Sequence, residues 1–214
     1  MKKKISCLLV LMLLIGMAIP TAAFAETESI DFGKEAKSIL PEALSNGYAE
    51  KSFIVDGEEH KVSIKLEKLD ENGNVIDSDG MNPAYNPNVR SDLGLHIYEA
   101  TAGRWELTYT YEGEMESVMK LTTEFTILNG LTTISDISND VYMIPITGML
   151  IDSEDTNIEV HSYRSFTSSG RTTMSIAGMI GMTVYMDAFF YLDYPFAGDW
   201  DYVYLSVDVS GDAT

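Results

Sequence analysis

Ala102-Gly103-Arg104-Trp105 leads into the alternating stretch Glu106-Leu107-Thr108-Tyr109-Thr110-Tyr111, and about 95 residues later Ala197-Gly198-Asp199-Trp200 leads into Asp201-Tyr202-Val203-Tyr204-Leu205-Ser206-Val207. In the first stretch Trp105, Leu107, Tyr109 and Tyr111 fall on one side of an extended chain and Arg104, Glu106, Thr108 and Thr110 on the other. That is the period of a strand with one buried face. Upstream, Leu95-His96-Ile97-Tyr98 is matched by Phe190-Tyr191-Leu192-Asp193, and Val62-Ser63-Ile64-Lys65-Leu66 is echoed by Ile158-Glu159-Val160. A unit recurring at this spacing reads as one β-rich module used twice. The expected fold is all-β: two tandem antiparallel β-sandwich domains after a cleaved signal peptide. Residues 1–25 are the signal peptide, 26–130 the first domain and 131–214 the second, with the boundary at Asn129-Gly130.

Lys2-Lys3-Lys4, an apolar core from Leu8 to Ile19, a break at Pro20 and the pattern Ala23-Phe24-Ala25 make up the signal peptide, cut after Ala25. The apolar core is shorter than the ~20 residues a membrane span requires, so no stable membrane insertion is expected after cleavage. The single cysteine, Cys7, lies inside this segment, which leaves the mature chain without disulfides, zinc thiolates or a cysteine nucleophile. The expected location is extracellular, free or held non-covalently at the cell surface. No LPxTG signal and no hydrophobic tail follow Trp200, so covalent wall attachment is not expected. The chain carries 33 acidic against 14 basic residues, a formal net charge of −19. Such a surface repels nucleic acid and anionic lipid, and no nucleic-acid partner is expected.

From Glu26 to Leu40 the signal is weak, with Glu35 to Leu40 readable as a strand or one helical turn that Pro41 ends. Ser45-Asn46-Gly47 is turn chemistry. Asp56-Gly57 between Phe53-Ile54-Val55 and the alternating Val62-to-Leu66 run predicts a tight hairpin, because such a turn needs positive φ. The polar stretch from Asp70 to Leu93 reads as an extended loop. Glu112-Gly113-Glu114 turns the chain, and Met119, Leu121, Thr123, Phe125 and Ile127 form the inward face of a returning strand. Val141 to Ile151 holds Pro145, which argues for an edge strand or a bulge, and Asp152 to Asn157 reads as a polar turn. Met174 to Leu192 reads as two buried strands, with Met174, Ile176, Ile180, Met182, Val184 and Met186 in phase.

The alanine-glycine-x-aromatic start of a final strand, with aspartate- or asparagine-glycine hairpins before it, resembles the immunoglobulin-like and fibronectin-III-like sandwiches of bacterial secreted and surface proteins. The pre-peptidase C-terminal type of module ends similarly. The resemblance implies that Trp105 and Trp200 pack under a sandwich corner beside Gly103 and Gly198, and that the domains bind, space or assemble.

No reaction motif has comparable specificity. His60, His96 and His161 are dispersed, without an HExxH or GxSxG pattern, and read as ordinary strand residues. Ser117-Val118-Met119-Lys120 matches SxxK in letters but sits in a strand pattern that separates its two ends onto opposite faces. Asp70, Asn72, Asn74, Asp77 and Asp79 have the oxygen density calcium favours. They depart from the EF-hand loop at Val75, and a turn built on Asn72-Gly73 is the preferred reading. No cofactor is expected. In the second domain Tyr194, Trp200, Tyr202 and Tyr204 are candidate ligand- or partner-binding residues, as an aromatic platform for a sugar ring or a protein.

The expected function is a secreted non-catalytic β-sandwich protein that binds or assembles at the cell exterior, as an adhesion, matrix or surface-structure component, with an unknown protein or glycan as partner. The alternatives are a carbohydrate-binding module and a secreted hydrolase, whose mark would be a cleft gathering one histidine with two carboxylates. After Trp105 the first unit makes a strand, a turn and a returning strand, whereas the residues after Trp200 suffice for one strand. The second unit would then have an uncovered edge, which sheets rarely tolerate. Cover by the first domain or by residues 26–40 of the same chain is expected, with self-association through that edge by strand addition as the alternative.

Overall fold

The computed structural model describes residues 29–77, 82–83, 96–128, 133–176, 180–193 and 203–214. The proposed signal peptide, Asp79, the boundary Asn129-Gly130, and Tyr194, Gly198, Trp200 and Tyr202 lie outside the described residues. The alternating stretches form strands, in the order β1 (Tyr48–Val55), β2 (Glu58–Leu69), β3 (Val75–Asp77), β4 (Asn82–Pro83), β5 (His96–Ala100), β6 (Gly103–Glu112), β7 (Val118–Ile127), β8 (Ile134–Ile144), β9 (Leu150–Ser162), β10 (Ser165–Ile176), β11 (Ile180–Asp193) and β12 (Val203–Ala213). A helix, α1 (Gly33–Asn46), precedes them. Among the described residues these make two six-stranded antiparallel sheets. One runs β1-β2-β6-β7-β8 with β3 beside β2, and the other runs β4-β5-β12-β11-β10-β9.

The alternation read from the sequence is the burial pattern of β6 and β7: Trp105, Leu107, Tyr109 and Tyr111, then Met119, Leu121, Thr123, Phe125 and Ile127, are all buried. Those of β7 face β10 and β11 of the other sheet. The Phe125 ring lies 5.9 Å from Phe166 and 5.0 Å from Phe190, whose own rings stack at 4.5 Å. Thr123 and Ser168 hydroxyls meet at 2.7 Å across the same gap. Asn139 of β8 donates to the carbonyls of Asn157 and Ser169 on β9 and β10. The buried residues of both sheets form one continuous cluster, the core of a single β-sandwich.

This pairing corrects the expectation of two tandem sandwiches divided at Asn129-Gly130. β7 pairs with β8 across that boundary, and β5 from the first half pairs with β12 from the second. The repeated motif marks where a strand starts and does not dictate its neighbours. β6 lies between β2 and β7, with β5 in the opposite sheet, whereas β12 lies between β11 and β5. The twelve strands of the two sheets among the described residues also exceed the seven of a constant-type immunoglobulin domain.

The weak N-terminal signal conceals α1, which corrects the reading that Pro41 ends the element. Ala36, Ile39, Leu40, Ala43 and Leu44 repeat at the three- and four-residue spacing of one helix face and are buried. Proline inside a helix removes a hydrogen bond and costs on the order of 3 kcal/mol. Burial of five side chains outweighs it. Lys34 N–H donates to Asp31 Oδ1 at the start, and Gly47 at φ 79° caps the end. The helix closes one open side of the sandwich: Lys51 of β1 pairs with Glu35, and Lys37 pairs with Asp208 of β12.

The edge expected after Trp200 is therefore covered within the chain. Val203–Val207 pair with β5, and Ile30 bridges to Ala213 at the far end of β12. The hairpin at Asp56-Gly57 forms as expected, both residues having positive φ (52° and 92°). Asp152 to Asn157 is not a turn but the middle of β9. Polar residues suit it because β9 is an edge strand, where Asp152, Glu154, Asp155 and Glu159 discourage pairing with another sheet. Pro145 lies just beyond β8, an edge strand of the other sheet. Met174 to Leu192 does form the hairpin β10–β11, although Ile176 at its tip is exposed.

Candidate functional site

His60 begins the inward row of β2 that continues with Val62, Ile64 and Leu66, so the strand carries the imidazole into the end of the core. It is 1% exposed. Its ring lies between Phe53 (5.6 Å) and Tyr111 (5.9 Å), and Phe32 stacks on the Tyr111 ring at 4.0 Å. Nδ1 lies 2.8 Å from the Tyr111 hydroxyl. Nε2 is buried with no hydrogen-bond partner among the described residues. Burial, and then the Glu114 carboxylate, push the Tyr111 phenol above its ordinary range, so it keeps its proton. A phenol O–H is the better donor and a bare imidazole nitrogen the better acceptor. The tautomer that lets Tyr111 donate to Nδ1 is the one that carries its hydrogen on Nε2.

The loop from Gly113 to Ser117 passes over this end. It closes with Gly113 N–H donating to the Ser117 carbonyl, and contains the short turn Glu114–Glu116. Met115 (φ 50°) and Glu116 (φ 63°) are both left-handed without being glycine. Strain of this kind costs about 1–3 kcal/mol per residue and concentrates at functional sites. The Met115 side chain is 66% exposed.

Two cavities meet at His60. The smaller, about 190 Å³, lies between the sheets and is lined by Ile30, His60, Tyr111, Ile146, Met149 and Met182, with Glu114 also on its wall. Ile146 and Met149 come from the turn between β8 and β9, which a Met149 N–H to Ile146 carbonyl bond holds. The larger, about 650 Å³, is an open cleft lined by Glu58, Glu59, Lys61, Glu112, Glu114 and Glu116 among others. One end of the sandwich thus offers an apolar chamber and an acidic cleft that share a histidine wall.

The residues singled out from the sequence lie elsewhere. Tyr204 is 9% exposed, which corrects its reading as part of an open aromatic platform. Trp105 is buried and donates from Nε1 to the Thr101 carbonyl, and the Lys68 ammonium lies 5.7 Å from its ring centre. Gly103 has φ 137°, a conformation that favours glycine. Asp70, Asn72 and Asn74 form a turn in which Asp70 Oδ1 accepts from the backbone N–H of both asparagines and Oδ2 accepts from the Asn74 amide. These bonds hold the Asp70 carboxyl below its ordinary range. Asp77 contributes backbone to β3, its side chain lying outside the described residues. Among the described residues no group of three or more histidines, cysteines and carboxylates is placed to hold a metal ion.

His161 is far from His60 in the fold, on β9, where its Nε2 meets the Thr167 hydroxyl at 2.8 Å. From the sequence His60 reads as an ordinary strand residue. The available signal was its phase, two residues before Val62 on the inward row.

Asp212 on β12 supplies a pH prediction. Partial burial, and then the charges of Asp31 and Asp187, raise its carboxyl above the ordinary range, and its Oδ1 has no partner among the described residues. A carboxyl raised on folding binds its proton more tightly in the native state. Its contribution to stability is greatest below about pH 4 and is lost as pH rises through the raised value. Asp212→Asn is expected to raise the urea midpoint at pH 7 and to change it little at pH 3.5. An equal shift at both pH values would show that ionisation is not the cause.

Among the described residues no helix is long and apolar enough to cross a membrane. Compared with protein-family models, curated proteins and solved structures, the chain finds no match.

Proposed function

We propose that this chain is a non-catalytic binding protein of the cell exterior that takes its ligand at the open end of the sandwich, against His60. The carrying observation is the buried His60, which lines both cavities and whose Nε2 has no partner among the described residues. A buried polar group left unpaired costs about 1–3 kcal/mol, which a bound ligand would recover. The strained loop beside it fits the same role. The leading segment with its Ala23-Phe24-Ala25 pattern supports export, and the net charge of −19 supports a soluble, well-hydrated surface. The likeness to immunoglobulin-like and fibronectin-III-like binding modules supports the reading at the level of two facing antiparallel sheets.

A hydrolase is the rival that one observation favours, since the open cleft gathers His60 with Glu58, Glu59 and Glu112. Against it, the hydrogen-bond partner of His60 is the Tyr111 phenol rather than a carboxylate, and no serine hydroxyl bonds to it among the described residues. The test is methyl NMR on the secreted chain, with Met149 and Met182 as reporters, against a library of small organic compounds. Compounds that shift both methyls, and lose that effect in Ile146→Trp, are expected. A library that moves neither methyl would sink the site, and turnover of a chromogenic ester that His60→Asn abolishes would restore the hydrolase.

A further inference from the structure

We infer that the ligand of the inner chamber is a small neutral molecule, about one six-membered ring in size, that carries an acceptor oxygen. This rests on the site proposed above and names its ligand class. The size follows from the volume: a cavity of about 150 Å³ lined by apolar side chains takes up benzene, and the chamber measures about 190 Å³. The apolar part follows from Ile30, Ile146, Met149, Met182 and Ala213 on its walls. The oxygen follows from His60. With Tyr111 donating to Nδ1, Nε2 carries the hydrogen, and a buried N–H donor seeks an acceptor.

Charge selects the neutral form. An anion would satisfy Nε2–H but would enter beside Glu114, on a chain of net charge −19. A cation would be drawn to that surface and to the Glu114 carboxylate on the chamber wall, yet it could not accept from Nε2–H and would lose hydration against Ile30, Ile146, Met149 and Met182. A ketone, an alcohol or an ether meets both demands. Nε2 has almost no accessible surface in this structure, so a ligand reaches it only when a neighbouring group moves. We take the loop from Gly113 to Ser117, whose Glu114 borders both cavities, as the segment that moves.

The experiment uses cyclohexanone, cyclohexanol, methylcyclohexane, cyclohexanecarboxylate and cyclohexylammonium as probes, read by the Met149 and Met182 methyls and by the ¹⁵N-labelled imidazole of His60. The ketone and the alcohol are expected to bind at least about tenfold more tightly than the hydrocarbon, and the two ions to leave the chamber signals unmoved. The ketone should shift the Nε2–H resonance. His60→Phe should remove the preference for oxygen while the hydrocarbon still binds, and His60→Gln, which keeps an N–H donor, should restore part of it. Equal affinity for ketone and hydrocarbon, or a preference that survives in His60→Phe, would overturn the assignment. So would tightest binding by the carboxylate or the ammonium. If these probes fail while larger library compounds still move both methionine methyls, the ligand class is wrong and the site stands; if no compound moves them, the site itself is wrong.

Discussion

Phe125→Ala is expected to lower the unfolding free energy by about 3–5 kcal/mol, the usual cost of deleting a buried aromatic side chain, and to do so for the whole chain in one transition. Phe125 sits on β7, and its ring touches Phe166 on β10 and Phe190 on β11, so the cavity opens between the sheets and not within either half of the sequence. Strands from residues 26–130 and from 131–214 contribute to each sheet. Neither half can keep its core when the other is lost. Native-state hydrogen exchange in urea is the measurement: amides of β2 and of β11 should lose protection at the same midpoint, in the variant as in the parent. Two separate midpoints, with β11 unmoved by the substitution, would restore tandem domains.

The local readings succeeded where side-chain period and turn chemistry suffice. Trp105 through Tyr111 and Met119 through Ile127 alternate because one face of each strand is buried, and Asp56-Gly57 makes a hairpin because both residues accept positive φ. The failures are all failures of partnership. The repeat around Trp105 and Trp200 suggested equal topology, yet β5 and β12 come from different copies and pair with each other. Nothing in Val203 to Val207 names His96 to Ala100 as a neighbour. The segment before Pro41 looked weak because its apolar residues are few and interrupted by charge. Only against β1, β2 and β12 does the face of Ala36, Leu40 and Ala43 become worth more than the proline costs.

The candidate site shows the same division. His60 reads as one more strand residue until Phe53, Tyr111, Ile146 and Met182, which are scattered over the chain, close around it. The aromatic cluster of the second half was more conspicuous in the sequence, and of its four candidate residues only Tyr204 is described, where it is buried. Composition points to exposed chemistry; topology places at the end of the core an imidazole nitrogen with no partner among the described residues.

Gly211→Ala should be the second severe lesion, and it tests how the N-terminal segment is locked to the last strand. A Cβ on Gly211 would lie 2.2 Å from Phe32 Cε2 and 2.6 Å from Cζ. The ring cannot retreat, because it is fully buried, stacks on Tyr111 at 4.0 Å and meets Tyr109 edge-on at 6.2 Å. Overpacking a tight core costs about 1–3 kcal/mol and sometimes more. Gly33→Ala adds the complementary case: its Cβ would come within 2.6 Å of the Gly211 backbone nitrogen, an atom that no rotamer change can move. The origin of the cost can be isolated with Phe32→Leu, which removes the ring. Gly211→Ala should be much milder in that background, a coupling that a double-mutant cycle reads directly. If the penalty were the same with and without the ring, the clash would not be its cause. The lock also bears on ligand uptake, since Ile30 and Ala213, bridged just beyond Phe32 and Gly211, both line the inner chamber. Loosening the lock at 30 °C, short of unfolding, should therefore weaken ketone binding in Gly211→Ala and restore it in the double variant.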